Sequence, residues 1–335
     1  MTNKELVVRA LNNQPVERVP VGFWFHFLPQ EDKADALKDP AVFERNIAGH
    51  RKFIECFRPD LVKIMSDGFF RYPAAGEIAG IHDLAKLQAV DVGCEWVQKQ
   101  VSLVKQVVSL QANTCYFYNV FSPATTLKFL LGQDALLRYI KTDFALVSEA
   151  LQRVAAGLAA QAECAVVQGG ADGVYLSVQN PDSTAISDED YRRYIYPADK
   201  IVLDAANRVS ENNILHICGY AGCRNRLPAW TDYRAKAYNW AVGVEGVPFA
   251  EGKKLFGGSA VIGGFANTAQ SVLYKGTKAE IEAETERLLR CAGTTGIILG
   301  ADCTLPLDIS FERLEWVRTK AAALDASRTG NDRVS

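Results

Sequence analysis

The stretch HICGYAGC, residues 216–223, places one of the chain's four histidines two residues before a cysteine, with a second cysteine five positions further on. In an extended strand residues i and i+2 project to the same side, so His216 and Cys218 point together while Ile217 faces away. An imidazole beside a thiol is half of a zinc site. Cys303, in GIILGADCTLP, lies just past another apolar run and supplies a third ligand from a distant part of the chain. Cys223 is the local competitor, but it would need a tight loop to fold back. Three protein ligands leave a tetrahedral ion one open position, the arrangement of a catalytic zinc rather than a structural one. The competing reading is a core that contains sulfur, because cysteine is common in interiors and a histidine at a strand end often serves only as a hydrogen-bonding group.

The elements that must position these residues are legible as alternating signals. Short apolar runs over 18–27, 61–65, 115–120, 173–178, 213–218, 237–242, 260–265 and 296–300 read as eight strands, buried on both faces. Helical stretches fill most intervals. Val147, Leu151, Val154 and Leu158 form an apolar stripe that Gly169-Gly170 stops, and Thr277 with Glu280 is a capping box opening a helix that Gly293 ends. Thr2 and Glu5 form a similar box at the start, over a helix ending near Asn12-Asn13. Eight alternating strands and helices predict an α/β fold of the (β/α)8 TIM-barrel type, organised as a single domain of residues 1–335. In such a barrel the C-terminal strand ends carry the chemistry, which is where His216, Cys218 and Cys303 fall. An open doubly wound sheet competes, but no GxGxxG or Walker-type loop follows the first run. Residues 66–112 are the least regular and leave room for an insertion or extra strands. The tail after Leu324 is polar and expected to fray.

Composition narrows the function classes. Among 335 residues 48% are hydrophobic and 23% charged, with a net charge of −2, which argues against nucleic acid or an anionic membrane as partner. Neither a leader nor an apolar run long enough to span a bilayer stands out, so a cytoplasmic location is expected and the eight cysteines are read as reduced thiols.

Seven stretches spread along nearly the whole chain resemble the uroporphyrinogen decarboxylase superfamily: RALNNQPVERVPV near the start, VKIMSDG around Asp67, FSPATTLKFLLG, GADGVYLS, LHICG, VIGGFANT and ILGADCTLP. The resemblance implies a (β/α)8 barrel and one of two chemistries. One branch removes acetate carboxyls from a porphyrinogen without a cofactor. The other is zinc-dependent and moves methyl groups between methylated corrinoids and a thiol or related acceptor, with His-x-Cys and a distant Cys as ligands. His216, Cys218 and Cys303 fall on the second pattern. The chain also departs from the first, carrying GADCTLP where that branch has a G-H-G motif. It has no Arg or Lys between Val19 and Asp32, where the decarboxylases use cationic forks to hold substrate carboxylates. A lyase acting on a different carboxylic acid is the alternative.

The resemblance further implies Zn2+ as cofactor and methylated corrinoid (cobalamin-type) as co-substrate. No corrinoid-binding Asp-x-His-x-x-Gly signature occurs here, so the corrinoid would come on a separate partner protein or free. The small-molecule methyl acceptor stays unspecified, and homodimers are frequent among relatives. Asp67 matches an acidic position of the family and is expected to bind substrate or order the site, unless it merely caps a turn. Glu245 is a candidate replaceable fourth ligand, against the plainer reading of a solvated carboxylate. Trp24, His26, Tyr118, Gln179, Asn180 and Asn267 are expected to line the pocket.

Overall fold

The computed structural model describes residues 1–335 except 30–32, 75, 181–183, 220–221 and 332–335, with the backbone alone for 325–331. Seven strands, β1 (Leu61–Ile64), β2 (Cys115–Phe121), β3 (Gly173–Val178), β4 (Ile214–Ile217), β5 (Ala237–Trp240), β6 (Ala260–Phe265) and β7 (Ile297–Ala301), lie in one parallel sheet in chain order. Helices follow the strands and pack outside them, among them Pro40–Phe57, Glu95–Val108, Phe144–Val167, Tyr196–Val209, Lys278–Ala292 and Phe311–Asn331. That outer layer explains why the strands read as continuous apolar runs. On the inner side Leu61, Phe117, Tyr175, Ile214, Ile262 and Ile298 pack together with Trp24, and Val7, Ala10 and Leu11 of helix Asn3–Leu11 join them. The initial helix is fixed by the expected box, Glu5 N donating to Thr2 Oγ1 (3.1 Å) and Thr2 N to Glu5 Oε2 (2.8 Å).

The strand expected over 18–27 needs correction. Residues 18–27 do not form a strand; they make one isolated parallel bridge, Val21 to Leu299. Gly22 N donates to Leu299 O and Leu299 N to Pro20 O (both 2.9 Å), while on the other side Asp60 N donates to Val21 O (3.3 Å). The segment thus lies between β7 and β1 without a ladder, and the architecture is barrel-like rather than a closed eight-stranded barrel. Two features interrupt the ladder: Pro20 has no N–H, and the Val21 N–H donates to the Asp60 carboxylate (2.8 Å) in place of a strand carbonyl. Gly300 permits the approach, since a Cβ there would stand 2.5 Å from Gly22 O. Residues 66–112 contain no strand among the described residues; they hold a 3-10 helix, Ile81–Lys86, and the helix Glu95–Val108. The backbone after Leu324 stays helical to Asn331, in keeping with the high helix propensity of TKAAALDAS. No helix among the described residues is long and apolar enough to cross a membrane.

Candidate metal centre

His216 sits on β4, buried to 1% exposure, and Cys218 follows one residue past the strand end, its N–H still donating to Val178 O of β3 (2.8 Å). Cys303 comes two residues after the end of β7. The three meet at the C-terminal ends of their strands. Cys218 Sγ is 3.9 Å from Cys303 Sγ, and Cys303 Sγ is 3.5 Å from His216 Nε2. One ligand atom from each residue lies within 4.8 Å of the others. A tetrahedral zinc with Zn–S of about 2.3 Å and Zn–N of about 2.0 Å has S···S and S···N edges of about 3.8 and 3.6 Å. The two measured edges match, so the donor set fits that ion. Cys223 is exposed and outside the cluster.

The imidazole is presented in the tautomer a metal requires. Asn239, the register partner of His216 on β5, bonds His216 Nδ1 through Oδ1. Its own amide is fixed by donation to Ile262 O (2.8 Å) and Ala301 O (3.3 Å). Oδ1 must therefore accept and Nδ1 carries the hydrogen, which turns Nε2 toward the sulfurs. Gly263 makes room for this amide: its φ is +127° and a Cβ would lie 2.8 Å from Asn239 Nδ2. Sequence reasoning missed Asn239. Its signal, an Asn inside the apolar run AYNW, was present but had no assignable face.

Charge around the sulfurs is organised as well. The hydrogen bond from Cys218 holds the Cys303 thiol well below its ordinary range; the His216 ring and the Lys63 ammonium act in the same direction, against burial. Burial pulls the Lys63 ammonium down to about 8, opposed by Cys303, Cys218 and Asp67. Asp302, next to the third ligand, is 3% exposed with Oδ1 unpartnered, and burial pushes its carboxyl up to about 7.

The remaining candidates divide. Asp67 is fully buried; Oδ1 pairs with His26 Nδ1 (2.7 Å) and Oδ2 accepts from Phe27 N (2.8 Å), so it fixes His26 and the 18–27 segment. The ring of Trp24 lies 6.4 Å from that of His216, inside the barrel-like core. Glu245 lies outside the His216–Cys218–Cys303 group, and both its oxygens accept from Asn225 N (2.9 and 3.1 Å). Asn225 in turn donates through Nδ2 to Cys218 O (2.8 Å), so Glu245 steadies the loop beyond the second ligand. Burial raises the Glu245 carboxyl above its usual range. Asn180 N donates to Asn225 Oδ1 (3.0 Å), extending that support, while Gln179 Oε1 accepts from Lys128 Nζ (2.8 Å). Asn267 Nδ2 donates to Thr304 O (3.1 Å), bracing the chain beside Cys303. Tyr118 is the correction. Its hydroxyl donates to Gln100 Oε1 (2.6 Å) on helix Glu95–Val108, so it faces the outer layer, and strand alternation turns Phe117 and Asn119 inward instead.

The whole fold resembles a methyltransferase from Methanosarcina mazei, with a TM-score of 0.71 and 15% identity over 97% of this chain and 99% of that one. A β-mannanase from the blue mussel Mytilus edulis has a TM-score of 0.50 and 10% identity, with 91% of both chains covered. A B12-independent methionine synthase from Shewanella sp. W3-18-1 reaches a TM-score of 0.45 and 13% identity, over 70% of this chain and 67% of that one. A comparison with curated protein sequences finds no match. The profile of the uroporphyrinogen decarboxylase (URO-D) family matches residues 69–323, more than half of the sequence, and the chain therefore belongs to that family.

Proposed function

We propose that the protein is a zinc-dependent methyltransferase, moving a methyl group between a methylated corrinoid and a thiol-type acceptor. The observation that carries this reading is the convergence of His216, Cys218 and Cys303 within 4.8 Å of one another. Two thiolates and a neutral imidazole match the charge and softness of Zn2+. Bound there, zinc would keep an incoming thiol deprotonated near neutral pH. Asn239 holds the imidazole, and Asn225 with Glu245 holds the Cys218 carbonyl. The acceptor sulfur forms the S–C bond as the methyl–cobalt bond breaks heterolytically, its electron pair staying on cobalt. The protein's work is orientation and exclusion of water.

The likeness in fold to the Methanosarcina mazei methyltransferase, nearly end to end on both chains, supports this branch of the family and a reading of the chain as one barrel-like unit. We infer a cytoplasmic enzyme that receives its corrinoid from a separate protein and acts alone or as a homodimer. Metal analysis of untagged protein should find about one zinc per chain. His216→Ala should lose that metal and slow demethylation of methylcobalamin by an added thiol, followed by its visible spectrum, at least about 100-fold. Protein without zinc whose activity survives both a strong chelator and His216→Ala would instead be a metal-free lyase of the same family.

A further inference from the structure

Lys63 is a charge that the metal centre, as described, leaves unexplained. It lies on β1 at 4% exposure, with Nζ 3.5 Å from Ser177 Oγ, 4.3 Å from the Tyr175 ring centroid and 5.5 Å from that of Trp24. The Ser177 hydroxyl donates onward to Asn119 Oδ1 (3.0 Å), and Asn119 Nδ2 donates to Ser66 Oγ (3.0 Å). Among the described residues no carboxylate comes within ion-pair distance of Lys63. Aromatic faces offset part of the loss of water, but a buried cation without an anion is among the most unfavourable features a core can hold. Packing alone would be served better by Met or Leu.

The anionic groups that act on Lys63 are Cys303, Cys218 and Asp67, and the titratable side chain beneath its ammonium is Tyr175. Both Asp67 oxygens are already engaged by His26 and Phe27. Lys128, the other cation acting on Cys218, is partly exposed and donates to Gln179. Ser177, which Lys63 bonds, is the register partner of His216, and the Tyr175 ring lies 6.0 Å from that of His216, so Lys63 shares the inner space of the sulfur centre. Two thiolates cancel a divalent cation, so the occupied centre is neutral, and an acceptor arriving as thiolate adds a negative charge.

We propose that Lys63 is the countercharge for that added anion, a positioning residue three strands from His216 that makes the centre select an anionic sulfur ligand over a neutral one. The inference rests on the zinc reading above and adds to it the group that balances the bound thiolate once its proton has gone to solvent.

The test uses full-length protein with Co2+ in place of zinc, 2-mercaptoethanol as probe, and the sulfur-to-cobalt charge-transfer band followed against pH. Lys63→Met and Lys63→Gln should raise the pH midpoint for thiol binding by about one to two units, and Lys63→Arg should leave it within about 0.3 unit. Neutral variants that hold cobalt but titrate with the wild type overturn the proposal. So does folding of the Arg variant alone, which would make Lys63 a structural residue. Wild-type protein that holds cobalt but shows no thiol band at any pH also overturns it and leaves the metal centre standing. Wild-type protein that holds no metal removes the metal reading itself.

Discussion

Asp60 and Lys63 are three residues apart in the chain, both buried and both charged, yet they are treated in opposite ways. Asp60, just before β1, has each oxygen 2.6 Å from an Arg18 nitrogen, and Oδ2 also accepts from Val21 N. Every demand of that carboxylate is met within the chain. Lys63, inside β1, has one long hydrogen bond and two aromatic faces. The contrast follows the direction of the strands. At the N-terminal end of β1 charge is matched and bolts the 18–27 segment into place; at Lys63, further along the strand, it is left for a ligand to match, as barrel-type folds divide stability from chemistry.

The largest effect that would break this contrast is at the matched end. Asp60→Ala strands the Arg18 guanidinium and the Val21 N–H and should lower unfolding free energy by about 3–5 kcal/mol. Zinc bound per folded chain should not change. Denaturant titration with metal analysis checks both, and loss of metal in the folded variant would show that the two ends are not separable.

Asp199 is an intermediate case. It is fully buried, and Oδ2 accepts from the Tyr191 and Tyr233 hydroxyls (2.7 Å each); among the described residues Oδ1 has no partner and no cation faces it. Burial pushes its carboxyl up from 3.8 to about 7. A folded-state pKa above the unfolded one means that the stability gained by holding the proton is complete below about pH 4 and is lost as pH rises through about 7. Asp199→Asn should therefore be more stable than wild type at pH 8, by on the order of 3 kcal/mol, with the advantage vanishing toward pH 4. Equal denaturation midpoints at pH 8 would count against a neutral carboxyl there.

How much of this was readable from sequence depends on whether the deciding partner is local. His216 and Cys218 were readable because a period of two fixes their common side, and Cys303 because it follows another strand. The capping boxes of Thr2 and Thr277 need only three residues each. The strand expected over 18–27 failed because the group that takes the Val21 N–H, Asp60, lies 39 positions away. Tyr118, expected to line the pocket, faces outward for another reason. When a strand is buried on both sides, hydrophobicity does not say which side is inner, and an aromatic fits either. Lys63 escaped notice on the same ground, since VKIM gives no hint that its lysine turns inward.

Asn239 offers the finest test of the division, because it belongs to neither charge. It acts on the metal only through His216, by fixing which ring nitrogen carries the hydrogen. Outer partners of this kind typically change metal affinity 10- to 100-fold, about 1.4–2.8 kcal/mol. Asn239→Ala should lie in that range by competition with a zinc chelator, because the ring can then rotate or protonate on Nε2. Asn239→Asp should recover much of the loss, since a carboxylate still accepts from Nδ1, although it can no longer donate to Ile262 and Ala301. A variant lacking any acceptor at 239 that held zinc as tightly as the wild type would mean that the two sulfurs alone define the centre, and that His216 is a bystander in the core.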